Sequence, residues 1–210
     1  MPKVSRQHQQ AQRQRIVGGA TRAFARDGYA AATIDQIGRE LGLSKGSIYT
    51  YFASKEDLFV ASLQSIYDSR FEALATAFAP DDPIEEKFRK ILEKLANIVS
   101  PRDDAFARLS LAGFLESSRI PRLLEIKTAS YRRFGDLLHR LLREGQQAAK
   151  VRPDVNIPSV TVVLLAVADG LMLHGLVPGR GVRPKQVQRA LRETFLPMLV
   201  AQRPAPGEKS

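Results

Sequence analysis

The strongest constraint on this chain is a pair of glycines between two short helical patterns. In the segment Thr33-Ile-Asp-Gln-Ile-Gly-Arg-Glu-Leu-Gly-Leu-Ser-Lys-Gly-Ser-Ile-Tyr-Thr-Tyr-Phe52, the apolar residues Ile34, Ile37 and Leu41 mark one face of a first helix. Thr33 stands at its start with Gln36 three residues on, the spacing of a capping box. Gly42 ends this helix, and Ser44 is placed to cap a second that runs through Ile48 to about Tyr51. Two helices crossing this closely need a small residue at the crossing, a glycine in the turn four residues later and an aliphatic residue locking the angle. Gly38, Gly42 and Ile48 fill those roles. The spacing fits a helix-turn-helix, but it also fits an ordinary helical hairpin with a glycine turn.

The chemistry of the second helix separates the two. Lys45, Ser47, Tyr49, Thr50 and Tyr51 set one cation and four hydroxyl groups on a very short helix. Such a helix contributes little to a core, yet it suits insertion into a DNA major groove about 12 Å wide. Lys45 can meet a backbone phosphate, and the hydroxyls of Tyr49 and Tyr51 can donate to phosphate oxygens. Ser47 and Thr50 are short enough to approach base edges. Thr33 and Lys55, at the starts of neighbouring helices, flank the groove with further phosphate contacts. Charge agrees: 32 Lys and Arg against 22 Asp and Glu give +10, which favours an anionic partner, nucleic acid before a membrane surface.

The rest of the chain is helical in pattern. Residues 1–13 form a flexible basic arm, and Ile16, Ala20, Ala23 and Phe24 stripe a helix that should stop at Gly28. Ser54 opens a fourth helix carrying Phe59, Leu63, Ile66, Phe71 and Leu74. Beyond Pro80 and Pro83 come five more, the last starting at Pro184 with Val187, Leu191, Phe195 and Leu199 on one stripe. No stretch alternates as a strand, so the expected class is all-α with about nine helices. Enzymatic chemistry has no foothold: there is no cysteine, His8, His139 and His174 are scattered, and no phosphate loop, dinucleotide fingerprint or His-Glu-x-x-His motif occurs. No catalytic residue, metal or cofactor is expected. The N-terminus lacks the apolar core of a signal peptide, and the apolar run Val160–Ala168 stops at Asp169. Even extended to Leu176 that run falls short of a membrane span, so a cytoplasmic protein with no membrane partner is expected.

Taken together, Phe24-Ala-Arg-Asp-Gly-Tyr29, then Thr33 and Ile37, then Leu43-Ser-Lys-Gly-Ser-Ile-Tyr-Thr-Tyr-Phe-Ala-Ser-Lys-Glu-Asp-Leu58 closely resemble the TetR family of bacterial transcriptional regulators. Gly38 stands where the family prefers Ala, and Tyr51 where a His is frequent. The resemblance implies a sequence-specific, DNA-binding homodimer on a palindromic operator, in most members a repressor released by a small-molecule effector. It also implies a DNA-facing set of Thr33, Ser44, Lys45, Gly46, Ser47, Tyr49, Thr50, Tyr51 and Lys55. The expected domains are a three-helix helix-turn-helix domain with the start of a linking helix over 14–60, a helical ligand-binding and dimerisation domain over 61–202, and a tail over 203–210. Past residue 75 the resemblance is one of architecture. It implies an effector pocket walled by Phe88, Leu92, Phe106, Leu109, Phe114, Tyr131, Phe134 and Leu138, residues that ordinary core packing also explains. The last two long helices would form the dimer interface through Val160, Leu164, Ala168, Leu171, Leu191 and Phe195. An activator, or a DNA-binding factor with no effector, fits the same residues. Arg119, Arg122, Lys127, Arg132 and Arg133 form a charge cluster that reads as a solvated face or an anionic-ligand site.

Overall fold

The computed structural model describes residues 6–99, 105–177 and 183–200, and among these the regular elements are all helical. In order they are α1 (Arg6–Ala31), α2 (Ile34–Leu41), α3 (Lys45–Tyr49), α4 (Lys55–Ala75), α5 (Ile84–Val99), α6 (Ala105–Glu116), α7 (Pro121–Gln147), α8 (Ile157–His174) and α9 (Pro184–Ala190). A π-helical turn, Leu191–Phe195, and a closing helix α10, Leu196–Leu199, continue the ninth. The tail 203–210 lies outside the described residues. So do residues 1–5 of the expected arm, while its remainder, from Arg6, is part of α1.

Packing divides the chain into two compact units, residues 1–69 with 103–130 and residues 70–102 with 131–210. The expected boundary near residue 60 follows the DNA-binding motif. The core of the first unit runs further, to Leu109 on α6 and Leu123 on α7. Its centre is Ile16, Ala20 and Phe24 from α1, Ile37 from α2, Ile48 from α3, and Leu58, Phe59 and Leu63 from α4, each at most 1% exposed. Phe59 meets Phe24 edge-on at 5.0 Å and Tyr29 at 4.7 Å. Each such side chain contributes about 1.5–3 kcal/mol on burial, so α6 and the start of α7 complete the core that carries the helix-turn-helix.

In the second unit, α5 packs on the latter part of α7 through Ile84, Ile91, Leu137 and Leu141, with Phe88 and Phe134 against them. Buried Lys87 donates to Glu144 at 2.7 Å across the same two helices. Val187 and Leu191 pack with Ala96 and Val99, and half-buried Ala168 and Leu171 of α8 lean on that cluster. Asn156 caps α8, accepting from the Ser159 N–H at 3.0 Å, with Pro158 in the first turn.

The outward side of α8 is apolar. Ile157, Thr161 and Met172 turn inward, leaving Val162 66%, Val163 48% and Leu173 42% exposed, with Ala166 and Gly170 on the same side. The residues expected at the interface lie elsewhere on the helix surface. Val160, Leu164, Ala168 and Leu171 are half-buried, and Leu191 is 3% exposed and interior. The side chain of Phe195 lies outside the described residues. A helix apolar on nearly all sides gives little phase to read, so which of its residues face outward is decided by packing.

Candidate nucleic-acid interface

Local capping sets the geometry of the site. Thr33 Oγ1 accepts from the Gln36 N–H at 3.2 Å, Ser44 Oγ from the Ser47 N–H at 3.0 Å, and Ser54 Oγ from the Asp57 N–H at 3.0 Å. The expected capping box at Thr33 is only half made. Gln36 instead donates from its side chain to Asp27 at 2.9 Å and Glu40 at 3.3 Å, two carboxylates that Arg26 also bridges.

Gly42 ends α2 in the left-handed region, φ 65°, ψ 33°. Its N–H donates to Arg39 and that of Leu43 to Gly38, at 3.2 and 2.8 Å, which satisfies the last carbonyls of α2. At Gly38 a Cβ would lie 2.7 Å from the Leu43 carbonyl oxygen. The bare glycine therefore lets the turn fold back against α2, and the departure from the family's Ala has a steric reason here. At Gly19 a Cβ would lie 2.8 Å from the Leu41 side chain, so α1 and α2 also approach closely.

With Ile34, Ile37, Leu41 and Ile48 turned inward, Thr33, Ser44, Lys45, Gly46, Tyr49 and Thr50 are exposed together, and Ser47 is half-buried beside them. Lys45 Nζ donates to Asp35 Oδ2 at 3.0 Å, and this bond holds the ammonium above its usual range. Thr50 Oγ1 donates to the Gly46 carbonyl at 3.1 Å, so towards a base edge it can act only as an acceptor or through its methyl. The hydroxyls of Ser44 and Ser47 share one hydrogen bond at 2.8 Å and retain one donor between them.

Two of the expected residues are also structural. Lys55 donates to the Ala30 carbonyl at 3.1 Å and lies 4.6 Å over the Tyr29 ring, fastening α4 to the end of α1. Half-buried Tyr51 packs on the core and lines an open cleft of about 470 Å³ with Arg13, Phe52, Asp57, Gln64 and Arg122. Across that cleft Arg122 donates to Asp57 at 2.6 Å and, with Ser54, holds the Asp57 carboxyl below its usual range.

Sequence reasoning missed Asp35 and Arg13. The Lys45–Asp35 pair depends on the angle between α2 and α3. Arg13, whose guanidinium lies 4.8 Å over the Phe52 ring, falls in the stretch expected to be a flexible arm.

The expected effector residues are divided among separate surroundings. Phe106 and Leu109 belong to the core of the first unit, where Phe106 meets Tyr67 edge-on at 5.9 Å. Phe114, also in that unit, is 58% exposed with the Lys127 ammonium 5.2 Å over its ring. In the second unit Phe88 and Phe134 share one cluster, Leu92 leans on another, Leu138 is half-buried and Tyr131 donates to Asp169 of α8. Nor does the basic cluster gather into an anion site. Arg122 is paired with Asp57, Lys127 covers Phe114, and Arg133 lies 4.1 Å over Phe71 in the other unit.

Residues 16–62 match the family described as bacterial regulatory proteins, tetR family, and residues 83–200 match the C-terminal domain of BetI-type transcriptional repressors. An HTH-type transcriptional repressor of Mycobacterium tuberculosis is 33% identical, with 82% of this chain and 86% of that protein covered. The HTH-type transcriptional regulator SrpR of Pseudomonas putida is 27% identical over 78% of this chain and 75% of its own length. Among solved structures, a transcriptional regulator from Saccharomonospora viridis in complex with choline has the same fold. It superposes with a TM-score of 0.79 at 24% identity, covering 92% of this chain and all (100%) of that one.

Proposed function

This chain belongs to the TetR family of bacterial transcriptional regulators, and from that premise we propose that it is a homodimeric repressor released from a palindromic operator by a small molecule. The observation that carries the reading is the outward face of α3. Lys45, Tyr49 and Thr50 stand exposed there on a base fixed by buried Ile48. In this reading residues 14–60 hold the DNA-binding domain and residues 61–202 the regulatory and dimerisation domain, and the protein works in the cytoplasm. Lys45 exchanges Asp35 for a phosphate, Tyr49 and Tyr51 donate to neighbouring phosphates, and Ser47 and Thr50 face base edges. Thr33, Ser44, Gly46 and Lys55 frame the contact.

The exposed stripe Val162, Val163, Ala166, Gly170 and Leu173 supports the dimer, since a face of this kind is covered by another surface. By length and composition alone α8 could also cross a membrane. Its inward Thr161 and Met172, and the bond from Tyr131 to Asp169, favour packing within the chain and against a second copy. Two copies related by a two-fold axis would present their α3 helices about 34–36 Å apart, or a multiple of that, which calls for a palindromic site. For the effector, the residues retained are Phe88, Leu92, Tyr131, Phe134 and Leu138 of the second unit, and the choline-bound regulator of the same fold supports a small-molecule site in this architecture. Moving the dimer from 99% DNA-competent to 1% requires the ligand to favour the released state by about 5.5 kcal/mol.

Salt-resolved operator titrations test the reading. Lys45→Ala should weaken operator and random duplex alike and lower the slope of log K against log salt by about 1 for each Lys45 that meets a phosphate. Ser47 and Thr50 variants should instead change which operators are preferred. Unchanged affinity and slope in Lys45→Ala would remove α3 from the interface. A compound that stabilises the protein while leaving operator affinity intact is no inducer. If every such compound behaves so, the alternatives of an activator or an effector-independent factor take precedence.

A further inference from the structure

The amino-terminal turns of α1 carry a pattern that the core does not explain. From Ile16 onward the buried stripe of α1 is apolar: Ile16, Val17, Ala20, Ala23 and Phe24. Extended backwards at the same helical spacing, that stripe becomes Arg13, Gln10, Gln9 and Arg6, all exposed. The helix therefore overhangs the body, and its core-facing side changes from apolar to arginine and glutamine where the core ends.

Arg13 sits at the crossing, stacked on Phe52 just past α3, and Arg15 donates to the Leu41 carbonyl at the end of α2 at 2.7 Å. These contacts fix the overhang to the helix-turn-helix. A stacked guanidinium is held in place with N–H donors left for a partner, a good arrangement for an oxyanion. A helix polar on all sides is not held by packing, so its side chains carry the reason for it. The first acidic residue in the chain is Asp27, so this stretch of the helix carries no carboxylate of its own.

We propose that Arg6, Gln9, Gln10 and Arg13 form a second DNA-contacting stripe, which lies along the phosphate backbone beside the groove that α3 enters. The proposal rests on the reading of α3 as the DNA-binding helix. Its own support is charge complementarity and continuity with that surface. At about 1.5 Å per residue the overhang reaches some 10 Å from Arg13 to Arg6, comparable with the roughly 12 Å width of a major groove. The arginines make the phosphate contacts, and the glutamines can bond sugar or phosphate oxygens and the edges of flanking bases. A membrane surface is the poorer match, because interfacial helices bury an apolar face that this stretch lacks.

The test uses the full-length dimer on operator and on random duplex at several salt concentrations, with Arg6→Gln, Arg6→Lys and the Arg6→Gln/Arg13→Gln pair. Each arginine that meets a phosphate should account for a drop of about 1 in the salt slope and about fivefold in affinity near 0.15 M salt, equally on both duplexes. Arg6→Lys should keep the slope. Melting curves should be unchanged in Arg6→Gln, since Arg6 is exposed, so a loss of binding there is not a loss of fold. If Arg6→Gln and the pair leave slope and affinity intact while Lys45→Ala lowers both, the stripe does not touch DNA and the α3 reading survives. Should Lys45→Ala also change nothing, the two readings fall together.

Discussion

The helix-turn-helix turns Ile34, Ile37, Leu41 and Ile48 inward and presents hydroxyls and cations outward, whereas α8 leaves Val162, Val163 and Leu173 exposed over an interior that includes Thr161. The first surface is finished within the chain: its helix starts are capped, its turn is closed by Gly42, and its outward face suits water as well as phosphate. The second leaves an apolar stripe uncovered within the chain, the stripe on which the proposed dimer rests. One element thus presents a polar face to its surroundings, the other an apolar one.

The sharpest way to break this comparison is to charge the α8 stripe. In the proposed dimer, Val163→Asp would leave an unpaired carboxylate inside the interface, at a cost of several kcal/mol. Because Val163 is 48% exposed in the single chain, the fold itself should survive. Sedimentation should show monomer, with operator affinity reduced by orders of magnitude. A variant that stays dimeric at micromolar concentration would place the interface elsewhere.

A smaller effect separates two glycines of the head. Gly38→Ala puts a methyl 2.7 Å from the Leu43 carbonyl oxygen, a backbone atom that can yield only by opening the turn. We expect a loss of about 1–3 kcal/mol and weaker operator binding. Gly18→Ala meets only the Arg22 guanidinium, at 3.9 Å, and should instead stabilise the protein by up to about 1 kcal/mol through helix propensity. Thermal melts of the two variants should move in opposite directions, and equal shifts would mean that the α2–α3 turn is not packed as described.

The least effect belongs to Asp57 and Arg122. Arg122 first, then Ser54, holds the Asp57 carboxyl below its unfolded value, so the stability it contributes is present above about pH 4 and is lost as pH falls through the lower folded value. Arg122→Ala should cost about 1 kcal/mol or less at neutral pH, because the pair is partly exposed. The gap between the two melting temperatures should close under acid. A gap independent of pH would make Arg122 a packing residue.

Much of the head was legible because its signals are local. Thr33, Ser44 and Ser54 cap helices through bonds three residues long, and Gly42 must accept a left-handed backbone wherever this turn forms. The Lys45–Asp35 pair, the stacking of Arg13 on Phe52 and the use of Lys55 to fasten Ala30 were not legible, since each depends on how whole helices cross. The effector residues show the same limit. Phe106 and Phe134 are both apolar positions on helices, yet one packs with Tyr67 in the first unit and the other with Phe71 in the second.

By itself the sequence determined an all-helical chain, the positions of its caps and turns, the family, and the polar residues of α3. All of these rest on period, capping and spacing over a few residues. Tertiary structure alone decided that α6 and the start of α7 complete the core of the head, that residues from Arg6 onward join α1, and that α8 turns Val162 and Val163 outward while Leu191 turns in. The physical reason is that an apolar side chain records a preference for burial but not which neighbour will bury it, and in a helix apolar all round only the packing of the other helices selects a face.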